Sequence, residues 1–145
     1  MTNTQAFAWA AGLFEGEGTI SFGVSPQLRL TMTDEEVVRR FAETIGEGGI
    51  CEIPAQQHNW RHAWCWYKAG RRVEEIVGKL WPFLGERRRT QIMDVLRRYD
   101  VYLADQCIKR TRTCEACGEV FLSGYNKHAA RWCRACWRSG RNRRS

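Results

Sequence analysis

No apolar run in the 145 residues approaches the roughly 18 needed to cross a bilayer, which excludes a membrane-spanning helix. The start, Met1-Thr2-Asn3-Thr4-Gln5, carries no basic residue, and Gly12 breaks the apolar stretch from Phe7 to Phe14, so no secretory leader is expected. Acidic residues are scarce in the last forty positions. Residues 106–145 hold 2 Asp/Glu against 10 Lys/Arg, whereas residues 1–105 hold 14 against 13. The formal charge of +7 therefore belongs to a basic C-terminal arm, which reads as a polyanion-binding element or as a solvated tail. Apolar residues at 43% and aromatics at 12% exclude a disordered chain. The expected location is cytoplasmic or nucleoid-associated. Seven cysteines in such a reducing compartment point to metal ligation before disulfides.

Periodicity predicts a body over residues 1–105 and a separate module over 106–145. Gln5 to Glu15 reads as a helix stopped by Gly16-Glu17-Gly18. Thr19 to Val24 and Leu28 to Met32 alternate as two strands around a turn at Ser25-Pro26-Gln27. Thr33 or Asp34 caps a helix whose apolar positions are Val37, Val38, Phe41, Ala42 and Ile45. Ile50 to Ile53 and Trp60 to Lys68 are two more strands, followed by helices over Val73–Leu80 and Arg87–Ala104. Two hairpins and these helices give an α+β layer with one sheet face bare, wide enough to lie along a DNA groove. No unit repeats within the chain. Cys51, Cys65 and Cys107 are expected to pack as small apolar side chains.

The end of the first helix is chemically unusual. Gly12, Ala8 and Ala11 make a smooth face suited either to another helix or to the domain's own sheet. Glu15 and Glu17 sit where a helix already carries about half a negative charge. Carboxylates there favour a cation, and carbonyl plus carboxylate oxygens suit Mg²⁺; two solvated glutamates are the other reading.

Ala10-Ala11-Gly12-Leu13-Phe14-Glu15-Gly16-Glu17-Gly18 resembles the LAGLIDADG motif of homing endonucleases and intron maturases, with Ala10 in place of the family's Leu. Thr33-Asp34 and Leu80-Trp81-Pro82-Phe83-Leu84, followed by Arg87-Arg88-Arg89, extend the resemblance over roughly residues 5–104. It implies an αββαββα fold, a saddle-shaped antiparallel sheet with helices on one face. It also implies that motif helices from two domain copies pack together. Glu17 is then the metal-holding acid, with Gly16 offering its carbonyl to Mg²⁺ and Glu15 supporting structure. Arg87 matches a basic residue, usually Lys, that neutralises transition-state charge. Asp34 matches a position that contacts active-site water, though a plain helix cap is its simpler reading. With one motif per chain, a homodimer on double-stranded DNA is implied. Arg29 and Thr31 on the second strand, Arg61 with Ala63 or His62 with Trp64 on the fourth, and Arg88 are the body's candidate DNA contacts. Periodicity leaves open whether Trp60-Trp64-Trp66 or Ala63-Cys65-Tyr67 fills the core.

In the arm, Cys114-Glu115-Ala116-Cys117 and Cys133-Arg134-Ala135-Cys136 are separated by 15 residues. Two such knuckles suit tetrahedral Zn²⁺, and a segment this short would draw its folding energy from the metal; redox dithiols are the other reading. Phe121, Tyr125, Trp132 and Trp137 either cover the metal or stack on bases, and His128 is a surface or DNA-contacting group. Lys127, Arg131, Arg134, Arg138, Arg141, Arg143 and Arg144 are the expected phosphate contacts. The resulting expectation is a homodimeric, Mg²⁺-dependent, site-specific DNA endonuclease with a structural Zn²⁺. The alternatives are a non-cleaving binder on the same scaffold (a maturase-like RNA-binding protein or a transcription regulator) and an RNA-binding zinc protein whose body only dimerises.

Overall fold

Helix α1 (Asn3–Glu17) begins at a capping box: Thr2 Oγ1 accepts from Gln5 N at 3.3 Å and Gln5 Oε1 accepts from Thr2 N at 2.9 Å. The computed structural model describes residues 2–55, 61–124 and 130–140. Its chain divides into two compact units, Met1–Tyr99 and Asp100–Ser145.

In the first unit α1 is followed by β1 (Gly18–Phe22), β2 (Pro26–Met32), α2 (Glu35–Ile45), β3 (Gly49–Ile53), β4 (Ala63–Ala69) and α3 (Val73–Leu80). A 3₁₀ turn over Trp81–Phe83 then leads to α4 (Glu86–Arg110), within which the division between the units falls. The four strands form one antiparallel sheet in the order β1-β2-β4-β3. The α+β fold is as the sequence predicts, with shifted boundaries. Helix α1 runs through Gly16 to Glu17 instead of stopping at Glu15. Gly18 ends it in extended backbone and starts β1, its N–H donating to Phe14 O. A Cβ on Gly18 would strike the Phe14 ring, so only glycine permits this turn from helix to strand. Strand β1 stops at Phe22, leaving Val24 exposed in the hairpin. Helix α4 continues six residues past the predicted end at Ala104.

Register settles the parity that periodicity leaves open. Leu30 pairs with Trp66 and Met32 with Trp64, while Arg29 pairs with Tyr67 and Thr31 with Cys65. Leu28, Leu30 and Trp66 are fully buried with Phe14, Phe41, Val38, Ile76 and Ile92 beneath the helices. Each such side chain contributes about 1.5–3 kcal/mol of burial. The Phe41 ring meets Trp66 edge-on at 5.0 Å, and Trp66 Nε1 donates to Glu47 O at 2.9 Å, so the buried indole keeps a partner. The open face therefore carries Thr19, Ser21, Gln27, Arg29, Thr31, Cys51, Ala63, Cys65 and Tyr67. Trp60 lies outside the described residues.

In the second unit a small hairpin, β5 (Thr111–Thr113) with β6 (Val120–Leu122), and a short helix α5 (Arg134–Arg138) frame the cysteine pairs. The sequence expectation included none of these three. Cys51 and Cys107 are exposed, not packed as apolar fillers; only Cys65 of that trio is buried.

Candidate nucleic-acid interface and metal centre

Helix α1 buries Ala10, Ala11 and Phe14. Ala11 thus belongs to the core and not to the smooth outer face. That face is formed by Ala8, Gly12 and Gly16, all exposed at helical spacing, and a Cβ at Gly12 or Gly16 would meet nothing within 4 Å. Glu17 ends this face. It is exposed and has no hydrogen-bond or ion-pair partner among the described residues.

Glu15 is placed differently. Its Oε2 accepts from Gly85 N at 3.1 Å, and its Oε1 lies 3.6 Å from Arg87 Nη2. Its backbone carbonyl accepts from Arg88 Nη2 at 2.7 Å and from Arg87 Nη2 at 3.4 Å. Two guanidinium groups therefore answer the negative end of the α1 dipole. Arg88 is only 6% exposed, donates to Gln91 Oε1 at 3.1 Å, and lies over the Phe14 ring at 5.3 Å. Burial, reinforced by the neighbouring Arg87 charge, pushes its pKa down, with Glu15 opposing. It is an internal strut between α1 and α4, unlike the surface cation that a phosphate contact requires. Arg89 donates to the carbonyls of Trp81 at 3.0 Å and Pro82 at 3.4 Å. The run Arg87-Arg88-Arg89 is thus spent largely on main-chain carbonyls. Periodicity held the signal for Arg88: it occupies the first position of the stripe Arg88, Ile92, Val95, Tyr99 that α4 buries.

Asp34 Oδ1 accepts from Val37 N at 3.2 Å and caps α2. Arg29 and Thr31 are exposed side by side on the open sheet face, and Arg61 is exposed just before β4. His62 is turned instead to Glu52, with Nε2 3.0 Å from Oε1. A depression of about 430 Å³ beside the end of α1 is lined by Gly18, Thr19, Ile20, Arg87, Arg88 and Gln91 among others. Among the described residues the cysteines are the sole group of three or more metal-ligating side chains. A hard cation at Glu17 would need ligands from elsewhere.

The Sγ atoms of Cys114, Cys117, Cys133 and Cys136 all lie within 4.8 Å of one another. A tetrahedron with Zn–S arms of ~2.3 Å has edges of ~3.8 Å, and Cys117 Sγ stands 3.8 Å from Cys133 Sγ. Gly118 at φ +76° allows the first knuckle to fold back, its N–H donating to Cys114 O at 2.8 Å. Cys133 N donates to Cys114 Sγ at 3.3 Å. This amide, with those of Ala116 and Cys117, brings the Cys114 thiol down to about 6. Burial pushes Cys136 up to about 12 in the metal-free cluster, with the neighbouring thiols adding to it. Four sulfurs of this spacing could hold a metal such as zinc.

Phe121 and Trp132 pack against the cysteines, whereas Trp137 stays 63% exposed and does not cover them. Arg131 is paired with Glu115 through two bonds of 2.8 and 2.7 Å. Arg134 and Arg138 are exposed on α5 without partners among the described residues. Tyr125, Lys127, His128, Arg141, Arg143 and Arg144 lie outside the described residues. No described helix is long and apolar enough to cross a membrane.

No protein-family model and no curated protein matches the chain. Among solved structures, the archaeal intron-encoded homing endonuclease I-Vdi141I complexed with DNA aligns at a TM-score of 0.37 and 22% identity, over 70% of this chain and 68% of that one. The group I intron-encoded homing endonuclease I-CeuI complexed with DNA aligns at a TM-score of 0.55 and 12% identity, over 70% of this chain. The chain spans 57% of the I-CeuI chain. The likeness to I-CeuI is one of fold: the antiparallel sheet under its helices is that of the LAGLIDADG homing endonucleases.

Proposed function

We propose that the chain is one half of a DNA-cleaving enzyme, a site-specific endonuclease in which two copies pair across α1. The observation that carries this reading is Glu17: an unpartnered carboxylate at the tip of a helix whose outer face is smooth, on a fold shared with a DNA-bound endonuclease. Two-fold pairing of the Ala8-Gly12-Gly16 face would bring the two Glu17 tips together, so that two carboxylates face one site. Glu17 and the Gly16 carbonyl are the groups that would hold Mg²⁺, which when bound polarises the scissile phosphate and activates water.

The chain's own residues do the rest. Arg87 presents a permanent cation for charge developing on phosphate, but as an arginine it neither takes nor gives a proton. Glu15 holds Arg87 in place, and Asp34 fixes the start of α2. Arg29 and Thr31, with Arg61, face the duplex from the open sheet. Arg134 and Arg138, with Arg131 and the further basic residues Lys127, Arg141, Arg143 and Arg144, add sequence-independent phosphate contacts from the arm. The four cysteines hold a structural Zn²⁺ that folds the second unit.

A non-cleaving binder is the second reading, favoured by the engagement of Arg87 with Glu15. Incubating the full-length protein with a randomised duplex library and Mg²⁺ separates the two. Double-strand cuts that fall at least ~100-fold in Glu17→Gln, several kcal/mol of transition-state stabilisation, support the enzyme. Binding without cuts supports the binder. A protein that stays monomeric on its DNA refutes the paired site. Deleting residues 106–145 should weaken binding and flatten its salt dependence.

A further inference from the structure

The second unit carries a cavity of about 770 Å³, whose basic residues the duplex reading takes as phosphate contacts and whose interior it leaves unassigned. Its size falls within the ~300–1,000 Å³ of pockets that enclose small organic ligands. Its walls combine ring faces from Phe121, Trp132 and Trp137 with guanidinium groups from Arg131, Arg134 and Arg138. The rings are not all spoken for. Phe121 and Trp132 back onto the cysteines, but Trp137 is 63% exposed, its ring 6.5 Å from that of Trp132 and tilted 35° to it. The arginines divide in the same way. Arg131 is bound to Glu115, whereas Arg134 and Arg138, one helical turn apart, have no partner among the described residues.

The wall also contains an unsatisfied polar group. Ser123 is 2% exposed, and its Oγ has no hydrogen-bond partner among the described residues. Its main chain is fixed: Ser123 N donates to Arg110 O, and Ser123 O accepts from Arg110 Nε, both at 2.8 Å. Its Oγ is closed off from solvent, so no ligand atom in the cavity reaches it.

The arginines and the indole each narrow the ligand. Unpaired arginines select against an apolar guest, and an open indole is superfluous for a small inorganic anion. A flat ring joined to phosphates satisfies both. We propose that this cavity seats one unstacked nucleotide of a DNA strand, its base on Trp137 and its phosphates on Arg134 and Arg138. This rests on the DNA-binding reading above and adds to it a site for single-stranded character. Stacking on an aromatic accepts any base, so the pocket contributes affinity for an unpaired strand without reading its sequence.

The test uses the full-length, zinc-loaded protein and three probes: a paired duplex, the same duplex with a single-stranded extension containing 2-aminopurine, and dAMP alone. The extension is expected to tighten binding roughly 5- to 150-fold, with quenching of 2-aminopurine emission. Trp137→Ala should abolish the gain and the quenching while leaving the paired duplex bound as before. Ser123→Ala removes a buried hydroxyl that the nucleotide does not touch, so it should fold normally and keep the gain. The absorbance of the cobalt-substituted cysteine site reports that the second unit is intact in each variant. Equal affinity for tailed and paired duplex, a gain that survives Trp137→Ala, or dAMP binding as tightly as the extension would overturn the proposal. Tailed DNA bound through Trp137 without any cleavage of duplex would remove the nuclease reading and support the pocket.

Discussion

Replacing Arg88 by methionine should destabilise the first unit by about 2 kcal/mol, even though it removes a buried charge. Two bonds are lost, to Glu15 O at 2.7 Å and to Gln91 Oε1 at 3.1 Å. Hydrogen bonds from a charged group are each worth ~1.5–3 kcal/mol, and a cation at a helix C-terminus adds ~0.3–1 kcal/mol. Three terms oppose this. Burial disfavours the guanidinium, its Nε has no partner among the described residues, and Arg87 Nη2 at 3.4 Å still serves the Glu15 carbonyl. Methionine keeps a stem over the Phe14 ring, so little packing is lost. Arg88→Ala loses the stem as well and should cost about 3–4 kcal/mol. At ~4–8 °C per kcal/mol for a domain of this size, the methionine variant melts about 8–16 °C lower. Thermal melts and urea titrations of the full-length protein, followed by near-UV circular dichroism, provide the measurement. Methionine equal to or more stable than arginine would refute the reasoning, placing Arg88 among buried ions that an apolar side chain replaces without loss.

Gly48→Ala should cost about 3 kcal/mol, because φ is +106° there and a Cβ would strike the Trp66 indole and lie 2.9 Å from Tyr67 O. Gly46→Ala, at φ +79° with open space around it, should cost only ~1–2 kcal/mol; equal melting temperatures for the two variants would contradict the collision. Metal removal by a strong chelator, or Cys136→Ser, should release one zinc per chain and unfold the second unit while α1 to α3 and their sheet keep their hydrogen-exchange protection. Loss of protection throughout the first unit would count against this. Zinc affinity, followed by competition with a chromogenic chelator, should fall by a further factor of ten per pH unit once pH drops below about 6. Cys114 is then protonated and must release a proton to bind. An affinity slope that does not steepen between pH 7 and 5 would show that Cys114 is not the first thiolate.

Elements with a one-sided apolar pattern were legible in the sequence. Val73–Leu80 forms over its predicted span, and α2 ends where Ile45 meets Gly46. Helix α1 was harder, because alanine and glycine occupy both its buried and its exposed faces. Only packing separates Ala11, which is fully buried, from Gly12, which is open. Strand β4 is apolar on both faces, so alternation alone could not orient it; the pairing of Thr31 with Cys65 does. The cysteine cluster was legible because ligand spacing is a local property. The division of labour among arginines was not. Arg88 takes its partner 73 residues away at Glu15, and Arg131 takes Glu115 across 16 residues, so a run of basic residues carries no mark of which charges are already bound.

That division bears on where charge remains available. The end of α1 concentrates negative potential, and two guanidinium groups are drawn to the Glu15 carbonyl, Arg88 from within the fold and Arg87 from its surface. Glu17 lies two residues further on, and no described cation follows it. A lone exposed carboxylate costs little by itself. Beside a second copy of itself it would be unfavourable, since two like charges brought within a few ångströms at an interface repel unless a cation sits between them. On the proposed reading, pairing of α1 with its copy would be coupled to divalent metal binding: each Glu17 would oppose a dimer without metal and support it with metal. Sedimentation of Glu17→Gln should show a dimer whose stability no longer depends on Mg²⁺, whereas the unaltered chain should associate more tightly as Mg²⁺ is added. A dimer indifferent to Mg²⁺ in both proteins would separate the interface from the metal and place Glu17 away from the two-fold axis.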